Sequence, residues 1–142
     1  MKKFASLFVI LLMLTSCIGS KAPVTSNSSL GGVDGDVIPP SFAQFPDIPF
    51  PEQTLMDLSE SKVLGSGDAW MGSIVFAAPY NASAMFDFYM SEMPKFEWKQ
   101  IAVVRSKISH MVYTRKDRVV QILIEATTTS SKVTLTVSPS GH

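Results

Sequence analysis

The chain has 142 residues, 46% of them hydrophobic and only 17% charged, against about 25% charged in a typical soluble domain. That length fits one domain, and the apolar content excludes wholesale disorder, which needs low hydrophobicity and high net charge. Twelve Lys and Arg balance twelve Asp and Glu, which argues against a broadly basic nucleic-acid binder. A single cysteine excludes an internal disulfide framework and any Cys-cluster zinc site.

Lys2 and Lys3 form a short cationic start, followed by an apolar run from Phe4 to Leu14. As a helix this run covers only about 16 Å, roughly half of a bilayer's hydrocarbon core. A stable span is excluded, and the charged–apolar–small order reads as a secretory signal over residues 1–16. The run closes on Leu14-Thr15-Ser16-Cys17. These residues resemble the lipobox of bacterial lipoprotein precursors. The resemblance implies that the Cys17 sulfur receives a diacylglyceryl group, that residues 1–16 are cut away, and that the new amine is acylated with palmitate-type chains. Several chains anchor firmly, at roughly 0.8 kcal/mol per buried CH₂. Ile18 stands where an inner-membrane lipoprotein commonly has Asp. In a diderm host the same resemblance therefore implies the periplasmic face of the outer membrane. The alternative is an ordinary secreted protein with a stray cysteine.

Loss of Lys2 and Lys3 leaves ten basic residues against twelve acidic, unevenly placed. Asp34 to Asp68 holds seven acids and one base, Lys62, whereas Lys95 to Arg118 holds seven bases and two acids, Glu97 and Asp117.

Residues 17–41 are rich in Ser, Gly, Pro, Asn and Thr and have no aromatic residue before Phe42. Such a stretch buries too little surface to offset the entropy of ordering and reads as a flexible tether behind the lipidated Cys17. Asp34-Gly35-Asp36 has too few ligands for a calcium loop and reads as a solvated turn. In residues 42–52, Phe42, Phe45, Ile48 and Phe50 alternate with prolines, which forbid helix and favour an extended path. Two readings stand: the segment lies along its own domain, or Phe42, Phe45 and Phe50 form a docking strip for a partner.

Residues 53–139 read as one small α+β domain, a helix packed on a mostly antiparallel sheet of five to six strands in the order β-β-β-α-β-β-β-β. Strands are expected at Thr54–Leu58, Ser61–Leu64 and Trp70–Ala77, the last two flanking the turn cluster Gly65-Ser66-Gly67-Asp68. Trp70, Gly72, Ile74 and Phe76 fall on one face. Asn81 or Ser83 can cap a helix running to Glu92, with Met85, Phe88 or Tyr89, and Met93 facing the sheet and Pro94 ending it. Strands then follow at Trp98–Val104, Ile108–Tyr113, Val119–Ala126 and Val133–Ser138. In the last two, Val120, Ile122, Ile124 and Val133, Leu135, Val137 alternate with polar residues, so one face is buried and one wet.

The run Phe88-Tyr89-Met90-Ser91-Glu92-Met93-Pro94-Lys95-Phe96-Glu97-Trp98 looks like the Phe-Tyr-x-x-x-Met-Pro-x-x-Gly-Trp pattern of some uncharacterised small lipoproteins of Gram-negative bacteria. The resemblance implies a helix followed by a strand and brings no activity with it. Glu97 departs from the expected glycine, which puts the tight turn in question.

Chemistry is sparse. The two histidines are His110, within an expected strand, and His142 at the end, and no HExxH, GxSxG or CxxC motif occurs. Asp57, Glu60 and Asp68 could supply a carboxylate pair, although their place beside a turn is better explained by solvation. Met90 and Met93 could touch one Cu(I) ion, although methionine among aromatics usually fills core. No cofactor and no metal are expected. Arg115, Lys116 and Arg118 sit at an expected hairpin turn and read as solvent-exposed. With Lys95, Lys99, Arg105 and Lys107 they would make a patch for lipid headgroups, peptidoglycan or an acidic partner. The reading is a non-enzymatic accessory, scaffold or assembly subunit of the envelope, bound to the membrane through its lipid and to an envelope protein partner. No pattern sets its oligomeric state. The alternative is a periplasmic small-ligand module with a helix–sheet cleft lined by Trp70, Phe88 and Tyr89.

Overall fold

The computed structural model describes residues 42–141; the signal segment, Cys17 and the tether lie outside the described residues. Seven strands form one antiparallel sheet: β1 (Leu55–Met56), β2 (Lys62–Leu64), β3 (Met71–Ala78), β4 (Lys99–Val104), β5 (Ile108–Arg115), β6 (Arg118–Ala126) and β7 (Ser131–Pro139). Among the described residues there is one α-helix, α1 (Ala82–Glu92), which follows β3. The lateral order is β1-β3-β7-β6-β5-β4, with β2 also paired to β3, so β1 and β2 share one edge and β4 is the other.

The α+β class therefore holds, with strands predominating, but two details change. Seven strands form rather than five to six, and short 3₁₀ turns at Phe42–Gln44, Gly67–Ala69 and Met93–Phe96 interrupt the expected element order. The first strand is also shorter than the apolar pattern implies. Asp57 ends it, because its Oδ1 accepts from the Ser59 and Glu60 amides and the Ser59 hydroxyl, turning the chain back.

Period-two alternation sets the core as expected. Val120, Ile122 and Ile124 on β6 and Val133, Leu135 and Val137 on β7 are buried together with Ile74 and Phe76 of β3. Asn81 caps α1, its Oδ1 accepting the Ala84 amide at 2.8 Å. Met85, Phe88, Tyr89 and Met93 face inward, and the Tyr113 hydroxyl of β5 donates to the Tyr89 carbonyl. The chain leaves the helix through the 3₁₀ turn containing Pro94, and Glu97 adopts the left-handed conformation at φ 65°. The tight turn thus forms without the glycine.

One helix is about 10 Å wide, whereas six strands across span about 24 Å. Half of the inner face must find another cover, and residues 42–50 supply it. Phe45, Ile48 and Phe50 are buried in the same core as the helix. Phe42 packs on Phe50 and Phe76 with ring centroids at 4.3 and 5.7 Å, and Phe45 meets Trp70 at 4.7 Å. The docking-strip reading is corrected: Phe45 and Phe50 are turned inward and Phe42 leans on the core, because each fully buried large apolar side chain contributes about 1.5–3 kcal/mol. Among the described residues, the segment 42–50 is thus part of the packed body, as its strap. A single 3₁₀ turn, Phe42–Gln44, fits ahead of Pro46 despite the prolines.

Gly72 shows how closely the β2 hairpin is built. It pairs with Val63 at φ 129°, and a Cβ there would lie 2.1 Å from the Lys62 carbonyl oxygen. Gly72→Ala is expected to cost about 2–4 kcal/mol, combining backbone strain with the clash. Urea denaturation measures the loss, and amide exchange should show β2 released; unchanged stability would contradict this pairing.

Candidate functional site: the strap and its buried ion-pair network

The strap's only acid, Asp47, sits between Pro46 and Ile48. Apolar neighbours pull it into the core, where an unpaired carboxylate would be prohibitive, so the surrounding elements bring partners. Trp70, just before β3, donates its Nε1 to Asp47 Oδ1 at 2.8 Å. Arg118, the first residue of β6, donates Nη2 to Oδ2 at 2.5 Å and Nη1 to the Trp70 carbonyl at 3.3 Å. Trp98, between the Met93–Phe96 turn and β4, donates Nε1 to the Asp47 carbonyl at 2.7 Å. Its ring lies 5.6 Å from the Arg118 guanidinium. Arg115, the last residue of β5, reaches Oδ2 with Nη1 at 3.8 Å and binds Glu97 Oε2 through Nη2 at 3.2 Å. Both indole donors, both carboxylate oxygens and the backbone carbonyl of Asp47 are thereby engaged.

The expectation that Arg115, Lys116 and Arg118 are all exposed is corrected. Arg118 is 6% exposed and the Arg115 side chain 13%; only Lys116, at φ 55° in the two-residue turn, faces solvent. The reason is parity. Arg118 shares its face with Val120, Ile122 and Ile124, and Arg115 shares its face with Met111 and Tyr113. The wider basic cluster is also partly consumed. Lys95 pairs with Glu92 at 2.7 Å, and Arg105 binds Asp87 and lies 4.0 Å over the Phe86 ring.

The helix–sheet cleft is filled. Trp70, Phe88 and Tyr89, the residues expected to line it, are 0%, 4% and 0% exposed. Desolvation raises the Tyr89 phenol well above its usual pKa and pushes Tyr113 up to about 12, so both stay neutral at ordinary pH. Met85, Met93 and Met111 are core residues, while Met90 is partly exposed, so Met90 and Met93 occupy different environments. His110 is exposed on β5.

Comparison with family models, with curated proteins and with solved structures yields no match to this chain.

An open groove of about 540 Å³ lies against β1 and the neighbouring end of the sheet. Leu55, Leu58, Val75 and Ala77 line it with Lys132. Lys132 binds Glu60 at 2.6 Å, a hydrogen bond that raises the ammonium pKa, and the Ser59 hydroxyl lowers that of Asp57. Asp57 and Glu60 are thus turn and ion-pair residues. Among the described residues no helix is long and apolar enough to cross a membrane.

Sequence reasoning missed Asp47 as a hub. Two signals pointed to it: a lone acid inside Phe-Pro-Asp-Ile-Pro-Phe, and two arginines at the buried parity of adjoining strands.

Proposed function

We propose that this chain is a lipid-anchored envelope protein without catalytic activity of its own. It is held through Cys17 at the periplasmic face of the outer membrane, where it serves as an accessory or scaffold subunit for an envelope protein. The lipobox resemblance at Leu14-Thr15-Ser16-Cys17 carries the anchor. The observation that supports the scaffold reading is the strap. The first described residues dock on the core through two indole hydrogen bonds and a buried ion pair. Chain termini ordinarily fray unless tied down; an anchored domain needs its tether to end on a fixed point, and this one does. The filled space around Trp70, Phe88 and Tyr89 favours this reading over the small-ligand module.

The anchor is tested by Cys17→Ala. The parent chain should incorporate labelled palmitate and fractionate with the outer membrane, whereas the variant should take up none and remain an uncleaved or misprocessed precursor. Palmitate uptake by the variant would remove Cys17 from the reading.

A further inference from the structure

The surface apolar residues of this protein are not scattered. Among the described residues, six of the nine large hydrophobic side chains left exposed belong to the edge strands β1, β2 and β4 or to the turn between β1 and β2, and two more, Met71 and Ile108, lie on the strands next to those edges. Leu55, Leu58, Val63, Leu64 and Met71 line the β1–β2 edge, with Leu55 and Leu64 about three-quarters exposed. Ile101 and Val104 line the β4 edge, with Ile108 at the start of β5 just past the turn, and the register shift between Gln100 and Ala102 sets Ile101 outside the ladder.

Charge separates the same two edges. At the first, Glu52 precedes β1 and Asp68 follows β2, bracketing the aliphatic residues; with Asp57 they outweigh Lys62, while Glu60 is paired to Lys132. At the second, Lys99 opens β4 and Lys107 follows it, bracketing Ile101 and Val104, while Lys95 and Arg105 are held by Glu92 and Asp87. Each edge runs about 20 Å along its strands. One surface is acid–aliphatic–acid and the other base–aliphatic–base, on opposite sides of one molecule.

We propose that the β4 edge of one copy docks on the β1–β2 edge of a second copy, placing Lys99 and Lys107 against Glu52 and Asp68 around a shared aliphatic strip. The contact is made by side chains. A continuous backbone ladder is blocked on one side by the bulge at Ile101 and on the other by the turn that separates the two short strands, the usual devices by which edges resist indiscriminate pairing. Because the joined surfaces differ, the association is heterologous and repeats head to tail, closing into a ring or extending as a row. It does not depend on the lipid anchor.

Charge exchange tests this. Sedimentation velocity of the full chain in a non-ionic detergent should show concentration-dependent association that weakens at high salt, as exposed charge pairs are screened. Lys99→Glu with Lys107→Glu makes both edges acidic, and Glu52→Lys with Asp68→Lys makes both basic; all four residues are exposed, so the melting temperature should not move. Each double variant alone should sediment as a monomer, and an equimolar mixture should recover the association of the parent. A parent chain that stays monomeric assigns the edges to a different partner and overturns the proposal. Variants that associate as the parent does, or a mixture that stays monomeric, overturn it as well.

Discussion

Asp47→Ala should lower the unfolding free energy by about 3–5 kcal/mol, the usual loss when one member of a buried ion pair is removed and the other remains. The size follows from what is left behind. Arg118 would keep a buried guanidinium with no carboxylate, left with the Trp70 carbonyl and the Trp98 ring, and the Trp70 indole would lose its acceptor. Asp47→Asn should cost less, since an amide oxygen can still accept from Trp70 or Arg118. Removing Asp47 and Arg118 together should cost clearly less than the sum of the single losses, because the double variant leaves no buried unpaired charge. Urea denaturation of a chain beginning at Ser41 gives all four values, and that chain should itself be soluble and unfold cooperatively. A loss below about 1 kcal/mol for Asp47→Ala would mean that water reaches the network and that the strap is a loosely held tail.

Trp98→Ala should be comparably severe, at about 3–5 kcal/mol. The ring is 1% exposed, touches the Arg118 guanidinium and holds the strap carbonyl through its Nε1. Trp98→Phe separates the contributions: most of the packing survives and the hydrogen bond is lost, so a deficit of about 1–2 kcal/mol is expected. Equal destabilisation by Ala and Phe would place the whole effect in the hydrogen bond. Unchanged stability in Trp98→Ala would place the side chain outside the core.

The two tryptophans mark where sequence reading succeeds and where it stops. The α+β class and the helix could be read from alternation, Asn81 and Pro94, because these signals act within a few residues of the chain, whereas the number of strands in the sheet and the length of the first strand could not. The burial of Val120, Ile122 and Ile124 follows from parity alone. The strap was legible only as two alternatives. Whether Phe45 and Phe50 turn inward depends on how much of the sheet one helix leaves bare, which no local pattern records. Arg115 and Arg118 were misread because charge at a hairpin turn normally means solvent. Their parity said otherwise, and only a partner 71 residues away could decide it. Edge apolarity was hidden for the same reason, since Leu55, Leu64, Ile101 and Val104 look like ordinary strand residues until the lateral order of strands is known.

The position of β7 has a consequence for how the molecule comes into being. The last of the described strands lies in the middle of the sheet, between β3 and β6, and among the described residues it alone bonds the strands before α1 to those after it. A ribosome delivers that strand after all the strands it joins. Until then the β4–β5–β6 meander can form from neighbouring residues, but β3 has no partner on its inner side. Pairings this distant in sequence close slowly. The sheet of the described residues therefore stays open and incomplete until residues 131–139 have been made, and it closes only when β7 is free to insert.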